Sequence, residues 1–142
     1  MILVTLGTQD KTFIRLLEKI DDLIKKGLIK DQVVVQSGYT KYHSSNMEIF
    51  DLIPQDEFNS LMEKADIIIT HGGVGSIISA LEKGKKVIAI PRLAKYGEHI
   101  NDHQTQIVSK FNSLGYLIGL QEVDELESAL KKIKKFQPKK FI

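Results

Sequence analysis

The stretch Asp66-Ile67-Ile68-Ile69-Thr70-His71-Gly72-Gly73-Val74-Gly75-Ser76 decides the fold. Its first part is a continuous apolar run rather than an alternating one, which marks a strand covered on both faces, as in a parallel sheet. Its second part holds three glycines in four residues and passes into a helical pattern over 76–83 that Gly84 ends. The same grammar extends in both directions. Upstream, Ile2-Leu3-Val4-Thr5-Leu6 reads as a buried strand stopped by Gly7. Phe13, Leu16, Leu17, Ile20, Leu23 and Ile24 then share one helical face, and Gly27 ends that helix. Gln32-Val33-Val34-Val35-Gln36 is a second strand, 39–46 a polar loop, 47–50 a short strand, and 54–64 a helix with Pro54 in its first turn. Downstream, Lys86-Val87-Ile88-Ala89-Ile90 is a buried strand stopped by Pro91. A polar loop over 92–98, a helix over 101–114, a strand over 116–120 and a helix over 123–135 complete the chain. Strands alternating with helices predict an α/β fold: a Rossmann-like parallel sheet with helices on both faces.

The chain has 142 residues, which suits a single domain, read here as 1–135 with an appended basic and apolar tail, 136–142. An apolar fraction of 42% and a charged fraction of 27% are those of a folded globular protein, not of a disordered or coiled-coil chain. No apolar run approaches the ~20 residues that span a bilayer. The opening Met1-Ile2-Leu3-Val4 has no basic n-region, so a signal peptide is not expected. The absence of cysteine removes disulfides, thiolate metal sites and cysteine catalysis, and suits a cytoplasmic setting. Twenty basic against 18 acidic residues, a net charge of +2, give no bulk-charge reason to expect a nucleic-acid partner.

In an open α/β sheet, ligands bind outside the carboxyl ends of the strands. The residues found there are Gly7-Thr8-Gln9, Gln36-Ser37-Gly38, the His71–Ser76 turn, and Glu98-His99-Ile100-Asn101-Asp102-His103-Gln104 after Pro91. The glycine turn, followed at once by a helix N-terminus, suits an anion, most plausibly a phosphate, with Ser76 and His71 as further donors. A tight strand-to-helix turn without a ligand is the plainer alternative. The turn lacks the Lys-Ser/Thr of a P-loop and the third glycine of the dinucleotide fingerprint. The Glu98–Gln104 segment carries more hydrogen-bonding side chains than one helix cap requires, which suits a polyhydroxylated ligand such as a sugar. Its plainer reading is a solvated first turn capped by Asn101. His99 and His103, spaced i, i+4, allow a metal reading, but the glutamate of HExxH is missing and no third ligand is evident. There is no Asp-x-Asp pair, so a divalent-metal diphosphate clamp of that kind is not expected.

The segments His71-Gly72-Gly73-Val74-Gly75-Ser76, Gly84, Pro91 and Asn101-Asp102-His103-Gln104 together resemble the C-terminal, donor-binding half of GT-B glycosyltransferases of family 28. Val4-Thr5-Leu6-Gly7-Thr8, Gln36-Ser37-Gly38 and the run from Phe50 to Ala65 fit the same pattern, so the resemblance covers residues 1 to about 130. Within the family, the chain looks like the small soluble subunits. Nearest is the PssE type of bacterial capsule and exopolysaccharide β-1,4-galactosyltransferases; the soluble subunit of the dolichol-linked N-acetylglucosamine transferase follows.

The resemblance implies a UDP-sugar donor, galactose favoured, with no cofactor and no metal. It places the diphosphate on Gly72, Gly73, Gly75 and Ser76 beside His71. It puts Gln104 on the sugar with Asn101, Asp102 and His103 nearby, and Thr8 and Gln36 in the same donor set. Many relatives hold the ribose with a glutamate where this chain has Ser79; Glu82, one turn on, is not an obvious equivalent. The acceptor half is then a separate membrane-anchored subunit presenting a lipid-linked sugar at the cytoplasmic membrane face. The general base is expected on that subunit, with His99 and Glu98 as weaker candidates here. An enhancer subunit that only stabilises its partner is the alternative within the family; a stand-alone nucleotide-binding or hydrolytic domain lies outside it. A half-enzyme without its partner is also open to forming a homodimer. Six lysines over 131–142 read as a solvated, frayed helix end or, more sharply, as a dock for the partner or for anionic lipid.

Overall fold

The computed structural model describes residues 1–7 and 11–141. Six strands, β1 (Ile2–Thr5), β2 (Val33–Gln36), β3 (Glu48–Phe50), β4 (Ile67–His71), β5 (Lys86–Ile90) and β6 (Ile118–Gly119), form one parallel sheet in the order β3-β2-β1-β4-β5-β6. Helices α1 (Ile14–Lys25), α2 (Gln55–Lys64), α3 (Val74–Glu82), α4 (His103–Ser113) and α5 (Leu126–Ile133) cover both faces. The order reverses between β1 and β4, and it is there that a crevice opens at the carboxyl edge.

The continuous apolar runs are explained by two cores. Ile67, Ile69, Ile88 and Ile90 join Val4, Leu16, Leu17, Ile20, Leu126 and Ile133 on the α1/α5 face. Their strand neighbours Ile68, Val87 and Ala89 join Leu3, Met62, Ile77, Ala80 and Val108 on the α2/α3/α4 face. Alternate residues of one strand therefore serve opposite cores. Truncating a fully buried member such as Ile68 to alanine costs about 2–5 kcal/mol.

Several expected boundaries move for local reasons. α3 begins at Val74, two residues ahead of the expected start, so Val74 and Gly75 belong to its first turn. α4 begins only at His103, because Asn101 Oδ1 accepts the His103 N–H at 2.8 Å and turns the chain before the helix. That removes His99 from the helix and with it the i, i+4 geometry on which a metal reading of His99 and His103 depends. The last expected helix is split: a 3-10 turn, Val123–Glu125, leads into α5, and Glu122 and Glu125 form a reciprocal capping box.

The described part of the tail past α5, to Phe141, packs back onto the domain. Phe136 packs against the α1/α5 core. The Lys139 N–H donates to the Gly115 carbonyl at 2.8 Å. The Phe141 ring meets Tyr116 edge-on, centroids 5.3 Å apart, beside Phe111. The tail thus wraps from one face of the sheet to the other while its lysines point outward. No helix among the described residues is long and apolar enough to cross a membrane.

Candidate functional site

Parallel strand register brings Gln36, Thr5, Thr70 and Ala89 into one row, with His71 one step further out on β4. Above this row lies a cavity of about 530 Å³. One end is mainly polar, built from Thr5, Gly7, Gln36, His71, Gly73, Gly75, Ser76 and Ser79 with Val74; the other is mainly apolar, built from Leu52, Ile53, Phe58 and Met62 with Gln55. Among the described residues, no charged side chain appears in its lining.

The polar end is held from behind by one amide. Gln104 is only 2% exposed, and its Oε1 accepts two backbone N–H groups, from Gly72 at 3.1 Å and from Arg92 at 3.0 Å. Those two donors fix the amide orientation, so Nε2 faces His71 Nδ1 at 3.3 Å as a donor. Nδ1 then accepts, the imidazole proton sits on Nε2, and Nε2 donates to Ser76 Oγ at 3.3 Å. Among the described residues the Ser76 hydroxyl hydrogen meets no acceptor. Burial, with help from the nearby Arg92 charge, pushes the His71 imidazole down to about 3, so it is neutral near pH 7.

The glycines divide their work in a way the sequence does not show. A Cβ on Gly73 would strike the His71 ring, and one on Gly72 would meet Gln104 Cβ at 2.7 Å and Val108 at 3.1 Å. Gly7, at φ +75°, would strike His71 Nε2 at 2.5 Å. These three admit the protein's own side chains. Gly75, in the first turn of α3, differs from these three in having nothing within 4 Å of an added Cβ. The first bond of that helix runs from the Ile77 N–H to the Gly73 carbonyl. Its ladder therefore leaves the N–H groups of Val74, Gly75 and Ser76 without a helical acceptor, aimed at the cavity with the positive end of the helix dipole. The arrangement can hold an anion by amides and a dipole, next to an apolar compartment with room for a planar group.

Of the residues expected at the site, the structure gathers Gln36, His71, Gly73, Gly75 and Ser76 around this cavity, and Ser79 with them. Gln36 is committed to structure as well: its Oε1 accepts the Thr5 hydroxyl at 2.9 Å and its Nε2 donates to the Gly7 and Asp51 carbonyls. Gly72 and Gln104 stand behind the wall rather than in it. Thr8 lies outside the described residues. Asn101, Asp102 and His103 are exposed at the start of α4 and do not line the cavity. Asp102 Oδ1 instead accepts the Ala94 N–H at 2.9 Å and closes the 3-10 turn Ala94–Tyr96. Glu98 is buried and engaged on every side: Arg15 donates from Nε and Nη2 at 3.0 Å each, and the Leu93 N–H donates at 3.1 Å. His99 is half-buried, its Nδ1 turned to the Asn101 backbone at 3.3 Å. Among the described residues, no group of three or more His, Asp or Glu could hold a metal ion. Sequence reading missed Thr5 and the apolar half of the cavity. The signal available was Leu52 and Ile53 ahead of Pro54, two apolar residues outside any helical or strand pattern.

Comparison with known proteins agrees with this architecture. Residues 1–141 match the glycosyltransferase family 28 C-terminal domain. Ninety residues, 63% of the chain, are 32% identical to "UDP-N-acetylglucosamine transferase subunit ALG13" of Candida albicans and cover 29% of that protein. The solution structure of ALG13 superposes with a TM-score of 0.63 at 21% identity, covering 99% of this chain and 88% of that one. The glycotransferase of kitacinnamycin superposes at 0.67 with 19% identity, covering 94% of this chain but 34% of that one. The chain thus spans less than a third of the curated relative's length, and its fold is that of the C-terminal domain of GT-B glycosyltransferases.

Proposed function

The chain belongs to the glycosyltransferase family 28 C-terminal domain family, and on that premise we propose that it is the donor-binding subunit of a two-component glycosyltransferase taking a UDP-sugar. The observation that carries the proposal is the cavity at the β1/β4 switch point, polar at the α3 N-terminus and apolar at the α2 side. The diphosphate sits on the free N–H groups of Val74, Gly75 and Ser76, with the Ser76 hydroxyl as a further donor. The uracil ring enters the compartment of Leu52, Ile53, Phe58 and Met62. Ser79, which lines the cavity where many family members carry a glutamate, faces the ribose.

In such a site, the α3 N-terminus stabilises charge that develops on the departing UDP without a metal. His71 acts as a neutral, oriented donor to Ser76 rather than as a cation. Glu98 is occupied by Arg15, so the base that deprotonates the acceptor hydroxyl comes from the membrane-anchored partner, which also presents the lipid-linked acceptor at the cytoplasmic membrane face. The sugar is N-acetylglucosamine if the chain follows the relative named above. It is galactose if it follows the PssE-type pattern, for use in capsule or exopolysaccharide synthesis.

Calorimetric titration of the chain with UDP, UDP-N-acetylglucosamine and UDP-galactose, without added metal, tests the reading. UDP should bind, and Ser76→Ala should weaken it by about three- to tenfold, the worth of one hydrogen bond. If UDP fails to bind, and the chain with its partner keeps full activity after Ser76→Ala, the subunit is an enhancer and the donor reading is overturned.

A further inference from the structure

Arg92 follows β5 and leads the fully buried side chains in size. Its guanidinium donates to two backbone carbonyls, Lys11 at 2.8 Å through Nη1 and Leu6 through Nη2, and lies 5.4 Å from the Phe13 ring centroid. Leu6 and Lys11 bracket the connection from β1 to α1, whose Gly7 forms part of the cavity wall. Its own N–H donates to Gln104, the same amide that orients His71. A guanidinium bonded to neutral carbonyls keeps its positive charge, and in a buried setting that charge is screened far less than a surface one. Burial lowers it to about 10 against the pull of the buried Glu98 carboxylate, itself paired with Arg15, so it remains protonated near pH 7.

We propose that Arg92 is a positioning residue for the anionic part of the donor: it binds the Leu6 carbonyl next to Gly7 of the cavity wall and the Lys11 carbonyl, and sets a positive charge behind the His71 wall. Among the described residues the cavity lining carries no charged side chain, so a diphosphate bound there is compensated by the α3 N-terminus from one side and by Arg92 from behind. This inference rests on the reading of the cavity as the UDP-sugar site.

The alternative is a purely architectural staple, and ligand charge separates the two. UDP and uridine are titrated calorimetrically into the wild type, Arg92→Gln and Arg92→Lys. Arg92→Gln should weaken UDP about tenfold or more and uridine less than about twofold, while Arg92→Lys restores most of the UDP affinity. Equal weakening of both ligands, or a lysine variant no better than the glutamine one, overturns the inference and leaves the donor reading standing. Wild type that binds neither UDP nor the UDP-sugars overturns the donor reading, and this inference with it. Should the variants not fold, NMR of the wild type decides. The Arg92 Nε–H signal should move on addition of UDP and stay still with uridine; a signal unmoved by bound UDP overturns the proposal.

Discussion

Two segments at the carboxyl edge of the sheet differ sharply in polar side chains, two among the six residues 71–76 against six among the seven residues 98–104, and it is the poorer one that faces the cavity. The turn after β4, residues 71–76, opens a helix N-terminus and a hydroxyl into a cavity. The segment after β5, residues 98–104, turns its polar groups inward or onto itself. Glu98 anchors Arg15, Asp102 closes a 3-10 turn, Asn101 starts α4, and Gln104 braces the first segment. The lesson is that a cluster of donors and acceptors in a loop reports hydrogen bonds to be made, not with whom. A connection of twelve residues between β5 and α4 has many backbone groups to satisfy, and its side chains are used on them first.

The sharpest break of that comparison is Gln104→Ala. It strips a partner from two buried backbone N–H groups and from His71, so stability should fall on the order of 3 kcal/mol or more in urea unfolding. A loss under about 1 kcal/mol would return Gln104 to the role of a ligand contact. Next comes a contrast within the turn. Gly73→Ala drives a methyl into the His71 ring and should cost about 1–3 kcal/mol. Gly75→Ala meets open space in a helix and should stabilise by up to about 1 kcal/mol. The same Gly75→Ala should weaken UDP, because the added methyl stands where the phosphate approaches; stabilisation with unchanged UDP affinity would place the anion elsewhere.

A graded effect comes with pH. His71 is held down to about 3 in the folded chain against 6.5 unfolded, so below pH 6.5 the unfolded state takes up a proton that the folded state refuses. Its stabilising contribution is complete above 6.5 and is lost as the pH falls toward about 3, by up to about 1.4 kcal/mol per unit. Urea midpoints at pH 7 and pH 5, for wild type and His71→Asn, check this: the variant should be flatter, and parallel curves would contradict the neutral, buried imidazole.

The fold was legible in the sequence because its period was. Uninterrupted Ile67-Ile68-Ile69 and Val87-Ile88-Ala89-Ile90 announce strands buried on two faces, glycine and proline mark their ends, and helices between them leave few topologies. The half of the site carried by the turn after β4 was legible too, since a helix N-terminus after a strand has only its own geometry to obey. The motif-level resemblance named the family, and residues 1–141 match it.

What sequence alone determined, then, was the series of elements, the sheet edge that carries the candidate site, and the glycine turn after β4 that lines its cavity. Tertiary structure alone decided which polar side chains face the cavity and which hold it up. Gln104 and Glu98 are spent on partners 32 and 83 residues away, Gly72 and Gly73 make room for Gln104 and His71, and Phe58 joins Leu52 in an apolar wall only because α2 packs on the sheet face of Leu3, Val34 and Ile68. The physical reason is range. Strand and helix periods are set by neighbours along the chain, whereas the partner of a buried polar group is set by whatever the finished packing brings within 3 Å or so of it.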